Sequence, residues 1–339
     1  MAVGSERLAK STWTDVKAMY EAYPYPSSIV GESVIDDVAN CLYSLYGDRS
    51  LDGYRILDAG CGTGHRLVGA AKRYPGAEFL GVDMTDASLE IASRLASRHG
   101  ARNVRLQRAN LLELKLSERF DIVISTGVIH HLEDPLTGLK NLARHLTSDG
   151  VLVVWLYNSV GEHDRLMGRE LLHLMWDADS GIQPRVEMMK GLGLTLEIKR
   201  YGSSGAQAAG EVSQVNVDVD AYVHPIVNAY TVDETISMLQ LCPGIEWAAV
   251  NNMNLVETSK LVDLAEAEES ELRYFCQSVE DLFPKEGLRR RFRELGNRDK
   301  LRVMEIMLKP TGFTTIAGRG SSHRQFGARL IGNALAFAS

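Results

Sequence analysis

The chain has 339 residues, of which 45% are apolar and 24% charged, with a formal net charge of −7. This acidic balance argues against a general nucleic-acid or anionic-membrane surface, and no apolar run approaches the roughly 18 residues of a membrane-spanning helix. The N-terminus lacks a signal-peptide pattern, and Cys41, Cys61, Cys242 and Cys276 match no zinc or disulfide spacing, so we expect a cytoplasmic protein without a metal site.

The first 157 residues divide into a helical segment and a strand–helix alternation. Residues 1–50 are predicted to be helical, and Pro24 and Pro26 interrupt them within an aromatic segment. The alternation that follows predicts an α/β fold, a doubly wound (Rossmann-like), seven-stranded, mostly parallel sheet. The predicted strands are 54–59, 78–83, 103–107, 121–126 and 150–157, and the predicted helices are 65–74, 86–99 and 135–146.

The alternation breaks after residue 157, where helical patterns predict cap insertions. A helix at 231–242 and a strand at 244–250 return to the core. LRVMEIML (301–308) is predicted as the antiparallel last strand, and the tail beyond Pro310 as irregular chain with a weak helix at 324–338. The predicted units are a lid (1–50), a core (51–157), a cap that binds the acceptor (158–230) and the remainder of the core (231–339) with a helical insertion at 259–300.

A glycine-rich turn follows the first strand. Gly60, Gly62 and Gly64 allow a sharp turn and a close approach of the backbone to a ligand. The helix that begins there offers free N–H groups to an anion. Asp83 ends the next strand 19 residues after Gly64, where a carboxylate can bind a ribose diol, although it can also cap the helix that follows.

The spacing of the turn distinguishes between nucleoside cofactors. His65 stands where the dinucleotide fingerprint requires a third glycine, which disfavours a nicotinamide oxidoreductase, the rival class of enzyme. Asp58 would repel a pyrophosphate but attract an ammonium group. A ligand with an ammonium group, a carboxylate and an adenosine fits these residues, which predicts S-adenosylmethionine (SAM).

DAGCGTG with GVD resembles the first two motifs of class I SAM-dependent methyltransferases, and FDIVISTGVIHHLEDP (120–135) resembles a further one. The resemblance implies that Met84 and Leu111 pack on the adenine and that Asn110 binds its amino group. It also implies that Thr126 and Gly127 line the methionine portion.

Two outer segments resemble a bacterial subgroup of these enzymes. They are YEAYPYPS and the stretch H-P-x-x-x-x-Y-T-x-x-E, from His224 to Glu234, which in that subgroup follows an aspartate-rich strand. The resemblance implies an aromatic lid in which Tyr23 and Tyr25 cover the sulfonium; packing of the N-terminal helix explains these tyrosines equally well.

Catalytic candidates follow the fourth and fifth strands. One of His130 and His131 is expected to pack in its turn, while the other can act as a general base. Glu170 can be a base if its apolar neighbours bury it, or a solvated partner of an arginine. Tyr157 is a further catalytic candidate. The acceptor-binding candidates are His163, Arg169, His173, Trp176 and His224.

The implied activity is in-line transfer of the SAM methyl group to a small biosynthetic metabolite, by a monomer or homodimer without nucleic-acid or membrane partners. Two alternatives stay open. One is C-methylation of a prenyl diphosphate, with Glu170 as base and Mg²⁺ on the diphosphate. The other is a SAM-binding protein without catalysis. The basic stretch 285–302 is either a solvated helix face or a site for an acidic acceptor group.

Overall fold

A computed structural model describes residues 13–25, 32–176, 181–196, 214–255, 259–264, 275–326 and 333–337, and in them a single ten-stranded sheet. The predicted loop at 202–211 and half of the predicted helix at 324–338 lie outside these residues. The strands are β1 (Arg55–Ala59), β2 (Glu78–Asp83), β3 (Val104–Arg108), β4 (Phe120–Thr126), β5 (Leu146–Tyr157), β6 (Trp247–Asn254), β7 (Ser259–Val262), β8 (Cys276–Gln277), β9 (Gly312–Gly318) and β10 (Leu335–Ala336).

The α-helices of the described residues alternate with the first five strands and then gather in the second half of the chain. They are α1 (Trp13–Ala22), α2 (Asp37–Tyr46), α3 (His65–Arg73), α4 (Asp86–Arg98), α5 (Pro135–Arg144), α6 (His163–Met175), α7 (Ile182–Gly191), α8 (Gln214–Asp218), α9 (Val232–Gln240), α10 (Val279–Leu282), α11 (Glu286–Arg293) and α12 (Asn297–Leu308).

The sheet is doubly wound, as predicted. Its strand order is β3-β2-β1-β4-β5-β9-β6-β7-β8, and β1 to β5 run parallel. The order reverses between β1 and β4, and in such sheets a crevice opens at the carboxyl ends of the strands at that point. The first five predicted strands and three predicted helices are confirmed to within a few residues.

The last antiparallel strand is not where the sequence placed it. LRVMEIML belongs to helix α12, in which Leu301, Met304 and Glu305 are buried at helical spacing. The antiparallel strand is instead β9, in the tail predicted to be irregular, and it pairs with both β5 and β6. All seven residues of GFTTIAG are buried, as in a central strand.

The predicted helical insertion at 259–300 is only partly correct. Its two ends in the described chain are different: β7 and β8 extend the sheet, whereas α10, α11 and the start of α12 are helical. On α11, Arg289 pairs with Glu286 and Arg291 with Glu294 on exposed surface. These pairs fit the solvated-face interpretation of the basic stretch.

Both faces of the sheet are covered, because neighbouring residues of each strand point in opposite directions. Ile56, Phe79 and Ile122 belong to one apolar core with α2, while Leu57 and Val123 belong to the other, beneath α5 and α9. This pattern explains why the strands appear in the sequence as continuous apolar runs.

A third apolar cluster lies in the cap and includes part of the predicted lid. Met19 of α1 packs there with Leu172 of α6 and Met189 of α7, whereas α2 packs on the sheet. Residues 219–223 form a π-helical turn after α8, so the aspartate-rich stretch is helical rather than the strand that the resemblance implied. No helix among the described residues is long and apolar enough to cross a membrane.

Candidate functional site

A cleft of about 790 Å³, counting its open mouth, lies at the carboxyl ends of β1, β2 and β4. Helix α1 covers one side of it. The residues that line it are Val16, Tyr20, Tyr25, Gly60, Cys61, Gly62, Arg66, Asp83, Met84, Ser88, Ala109, Leu111, Thr126, Gly127, Val128, His131 and Leu132.

The glycine turn forms the floor of the cleft, and it is tightly packed on the protein side. A Cβ on Gly60, whose φ is +85°, would lie 2.5 Å from a side-chain carbon of Val128, and one on Gly64 would lie 2.6 Å from Ala92. Two of the three glycines are therefore required by neighbouring protein atoms, a cause that the sequence did not reveal. The N–H groups of Gly60 and Cys61 donate to the carbonyl of Val82, which fixes the turn on β2.

Asp83 holds the same turn from the end of β2. One carboxylate oxygen accepts from the N–H of Gly62 at 3.0 Å, and the other accepts from the N–H and hydroxyl of Thr85 at 2.9 Å each. Thr85, not Asp83, is the N-cap residue of α4, so Asp83 does not cap that helix. Burial raises the pKa of Asp83 above its ordinary value, and these hydrogen bonds offset part of that increase.

Asp58 and Arg66 bring opposite charges to the ends of the glycine turn. Asp58 is buried beneath the turn, and desolvation raises its pKa to about 7, against the attraction of Arg66. Asp58 is not among the described residues that line the cleft. Arg66, on the first turn of α3, lines the cleft and hydrogen bonds with Tyr25 and Asp37.

Of the three residues predicted to contact the adenine, two lie in the cleft wall and one does not. Met84 and Leu111 line the cleft, as does Ala109. Asn110 is instead the N-cap of a short 3₁₀-helix, where its side-chain oxygen accepts from the N–H of Leu112 at 3.0 Å. It is absent from the described cleft wall, and its side-chain oxygen is used within the loop that follows β3.

The aromatic lid uses a tyrosine that the sequence did not single out for this role. Tyr20 and Tyr25 line the cleft, whereas the Tyr23 hydroxyl donates to Gln183 of α7 at 3.1 Å. Val16 and Tyr20 both reach the cleft because they are four residues apart on one face of α1. That spacing was the available signal for Tyr20.

The two adjacent histidines after β4 have different surroundings. His130 is fully buried and stacks on Tyr157 with ring centroids 3.9 Å apart. His131 reaches the cleft wall, and its Nδ1 lies 2.7 Å from the carbonyl oxygen of Ile226. Thr126 and Gly127 also line the cleft, and His131 is the one of the two histidines that lines it with them.

Behind His131 lies a buried polar cluster contributed by the cap. Arg169 donates to the carbonyl oxygen of His224 at 2.7 Å, and burial and Arg165 lower its pKa to about 9. Arg165 pairs with Glu162 and lies over the ring of Tyr157, its guanidinium carbon 4.0 Å from the centroid. Tyr157, Arg169 and His224 therefore support the cleft from behind and do not appear in its described wall.

The remaining cap candidates lie away from the cleft. Glu170 and His163 are exposed on the outer side of α6, so apolar neighbours do not bury Glu170 and the solvated interpretation of this residue fits. Those neighbours are themselves exposed, because Arg165, Arg169 and Leu172 form the buried face of the helix. His173 and Trp176 contact each other edge to face, and Arg185 covers the indole.

The sequence predicted no metal site, yet the structure gathers three side chains of metal-binding types. Donor atoms of His131, Asp220 and His224 lie within 4.8 Å of one another, and all three residues are buried. The sequence had marked both histidines but not Asp220, whose signal is its position four residues before His224 in a helical stretch.

Comparison with known proteins identifies the fold and the cofactor. Residues 50–190 match the model of a family described as a methyltransferase domain. Residues 50–190 therefore carry a methyltransferase domain of the class I SAM-dependent type. SAM is the cofactor of such a domain, and the matched range contains the glycine turn, Asp83 and both histidines after β4.

The similar proteins cover this chain unevenly. An uncharacterised protein of Synechococcus is 30% identical over 224 residues, which is 62% of this chain and 53% of that protein. A malonyl-[acyl-carrier protein] O-methyltransferase of Bacillus cereus is 30% identical over 34% of this chain and 43% of its own. A ubiquinone biosynthesis O-methyltransferase of Haemophilus ducreyi is 33% identical over 32% and 48%. The chain thus spans about half the length of these relatives.

Among solved structures, PKMT2 from Rickettsia typhi aligns with 89% of this chain and 54% of its own, at a TM-score of 0.55 and 18% identity. A second structure of that protein, in complex with AdoHcy, aligns at a TM-score of 0.52. At 18% identity this likeness shows the fold alone. The similarity in fold covers more of the chain than residues 50–190, the part that matches the methyltransferase domain.

Proposed function

We propose that the chain transfers the methyl group of SAM to a small-molecule acceptor that binds beside His131. One observation carries the proposal: residues from four separate strand–helix connections line a single cleft. They are the glycine turn, Asp83, Met84, Leu111, Thr126 and His131. The cofactor side and the acceptor side of a methyl transfer would then share one cavity.

SAM fits the charges and surfaces of this cleft. Its ribose diol would bind Asp83 at Oδ2, which accepts from Gly62 and keeps acceptor capacity beside the turn. Met84 and Leu111 would pack on the adenine. At the other end, Arg66 attracts the carboxylate and Asp58 the ammonium group, while the faces of Tyr20 and Tyr25 suit a sulfonium.

The chemistry needs alignment more than strong electrostatic stabilisation. The positive charge of the sulfonium disappears as its methyl group moves in line to the acceptor, so the cleft mainly has to hold the two reactants in contact. Such positioning can lower a barrier by roughly 7–11 kcal/mol. Helix α1, which covers one side of the cleft, would help to exclude water from it.

We further propose a biosynthetic metabolite as the acceptor. A cleft of this size favours a small molecule over a nucleic acid, and one of the relatives is by name an O-methyltransferase of ubiquinone biosynthesis. A location in the cytoplasm agrees with the cysteines, all four of which are free thiols in the structure.

The test uses SAM labelled in its methyl group. The purified chain is incubated with labelled SAM and a bacterial metabolite extract, and the label is measured in the small-molecule, protein and nucleic-acid fractions. We expect label in the small-molecule fraction, with release of S-adenosylhomocysteine. Label in a macromolecular fraction would refute the acceptor class, and SAM binding without any transfer would favour the non-catalytic alternative.

A further inference from the structure

Two buried side chains, His224 and Asp220, lie behind His131, and Tyr20 contacts both of them. The ring of His224 stacks on that of His131, with centroids 3.8 Å apart and 26° between the planes. Tyr20 meets His224 edge on at 5.4 Å, and its hydroxyl donates to Asp220 at 3.0 Å. His131 and Tyr20 line the cleft, so His224 and Asp220 form a second layer behind them.

The backbone of Ile226 fixes the proton positions of both stacked rings. Its carbonyl oxygen lies 2.7 Å from Nδ1 of His131, which must therefore carry the proton, because a carbonyl only accepts. Its N–H donates to Nδ1 of His224 at 3.0 Å, which leaves the proton of neutral His224 on Nε2. His131 consequently presents a lone pair on Nε2, whereas His224 presents an N–H.

These tautomers disfavour a metal ion. A metal on Nε2 of His224 would move its proton to Nδ1, where it would face the N–H of Ile226. A histidine coordinates a metal in the plane of its ring, and two nearly parallel stacked rings do not share one point in both planes at about 2 Å from each nitrogen. The geometry favours a proton-accepting site over a metal centre.

Burial keeps His131 neutral, and a carboxylate stands ready for its charged form. Desolvation lowers the pKa of His131 to about 4, so that its lone pair is available throughout the neutral range. Asp220 opposes this shift, while Arg165 and Arg169 support it. The titratable and charged groups around the ring are His130, Tyr157, Arg165, Arg169, Asp220, His224 and, through Asp220, Tyr20.

We propose that Nε2 of His131 accepts the proton of a hydroxyl acceptor during methyl transfer, and that Asp220, Tyr20 and His224 position the imidazole and stabilise its charged form. The inference deepens the proposed function and rests on it. The acceptor O–H bond breaks as its oxygen bonds to the methyl carbon. The carbon–sulfur pair returns to sulfur, giving neutral S-adenosylhomocysteine, and the proton remains on His131 until solvent removes it.

This arrangement specifies the chemical class of the acceptor. A free amine attacks SAM through its own lone pair and needs no base before the methyl moves, whereas an alcohol or phenol gains from a proton acceptor at its oxygen. A buried imidazole held in one tautomer, with a carboxylate in its second layer, suits the hydroxyl. We therefore infer O-methylation. Asp220, Tyr20 and His224 are positioning residues, and His131 is the catalytic residue.

Nuclear magnetic resonance of the full chain with ¹⁵N-labelled histidine tests the inference without an identified acceptor. Single His→Gln variants assign the rings. We expect neutral His131 to be protonated at Nδ1 and neutral His224 at Nε2. Near pH 4, where wild-type His131 is about half protonated, Asp220→Asn should leave it neutral. Asp218→Asn is the matched control, because Asp218 is equally buried but bonds Thr195 and Leu196 instead.

The outcomes are distinguishable from failure of the proposed function. Calorimetry with SAM on the same samples tests the cofactor site separately, since Asp220 is outside the described cleft wall. His131 protonated at Nε2, or an equal change in both aspartate variants, would overturn the inference even if SAM binds. So would stoichiometric binding of Zn²⁺, added alone, with changes confined to His131 and His224. Tyr20→Phe should lower the midpoint of His131 less than Asp220→Asn does, because it leaves the carboxylate in place.

Discussion

Ionisation of Asp58 should lower the free energy of unfolding of this protein and raise its affinity for SAM. Desolvation raises the pKa of Asp58 from 3.8 to about 7 in the folded chain. A buried carboxyl of this kind binds its proton more tightly in the folded state than in the unfolded state. Its ionisation therefore lowers the free energy of unfolding as the pH rises from about 4 through about 7.

The shift sets the size of the effect. About three pKa units correspond to a cost of about 4 kcal/mol at pH 8, and to less than half of that at pH 5. Asparagine has nearly the same shape without the charge. Asp58→Asn should thus raise the free energy of unfolding relative to wild type, and the difference should grow by roughly 2–3 kcal/mol between pH 5 and pH 8.

Urea unfolding of the SAM-free chain, followed by tryptophan fluorescence at pH 5, 6, 7 and 8, measures this difference. Wild-type curves alone do not suffice, because His130, His131 and His224 have lowered pKa values and act with the opposite sign. They contribute equally to both proteins and cancel in the difference. Asp149→Asn, at an exposed position near the start of β5, is the control and should show no growing difference.

SAM affinity should move the other way. The ionised carboxylate attracts the ammonium group of SAM, which stays protonated below about pH 7.5. Wild-type affinity should therefore increase from pH 5 to pH 7, while that of Asp58→Asn stays flat and about tenfold weaker at pH 7. A stability difference that does not change with pH would show that Asp58 stays ionised in the free protein, and the reasoning would fail.

Further substitutions test other parts of the site. Gly60→Ala should lower thermal stability by roughly 1–3 kcal/mol and abolish S-adenosylhomocysteine binding in calorimetry, because its φ is +85° and a neighbouring valine fills the space; normal binding would contradict the packing account. Arg66→Ala should weaken SAM binding about tenfold through loss of a carboxylate partner, and unchanged affinity would remove it from the site. Glu305→Gln should cost about 3 kcal/mol in scanning calorimetry, since this buried carboxylate accepts from three donors; a shift below 1 kcal/mol would show that the network is dispensable. Glu170→Gln should leave labelled-methyl transfer unchanged, and a loss of turnover would restore it as a base.

Local patterns were sufficient to predict the first half of the fold and most of the cofactor side. The alternation of apolar runs with helical spacing gave β1 to β5, and the glycine turn followed by Asp83 gave the cleft floor. These features depend on residues close together in the sequence. The strand prediction for LRVMEIML was wrong because a short apolar run does not distinguish a strand from a buried helix. The burial of residues 301, 304 and 305 has the spacing of a helix.

The acceptor side depends on contacts that no local pattern encodes. Tyr20 and Asp220 meet across 200 residues of chain, and Ile226 orients two histidines that lie 93 positions apart in the sequence. The sequence left the burial of Glu170 open because its apolar neighbours on α6 suggested burial, whereas the helix buries its arginines and turns that apolar side outward. The T-x-x-E end of the H-P motif has a structural explanation, since Thr231 and Glu234 form the capping box of α9.

Titration calorimetry of the full chain with S-adenosylhomocysteine measures whether the cleft binds the cofactor. We expect one site per chain, with micromolar or tighter affinity, that Asp83→Ala weakens strongly and that NAD⁺ does not occupy. Absence of heat with both SAM and S-adenosylhomocysteine, or tighter binding of NAD⁺, would contradict this expectation.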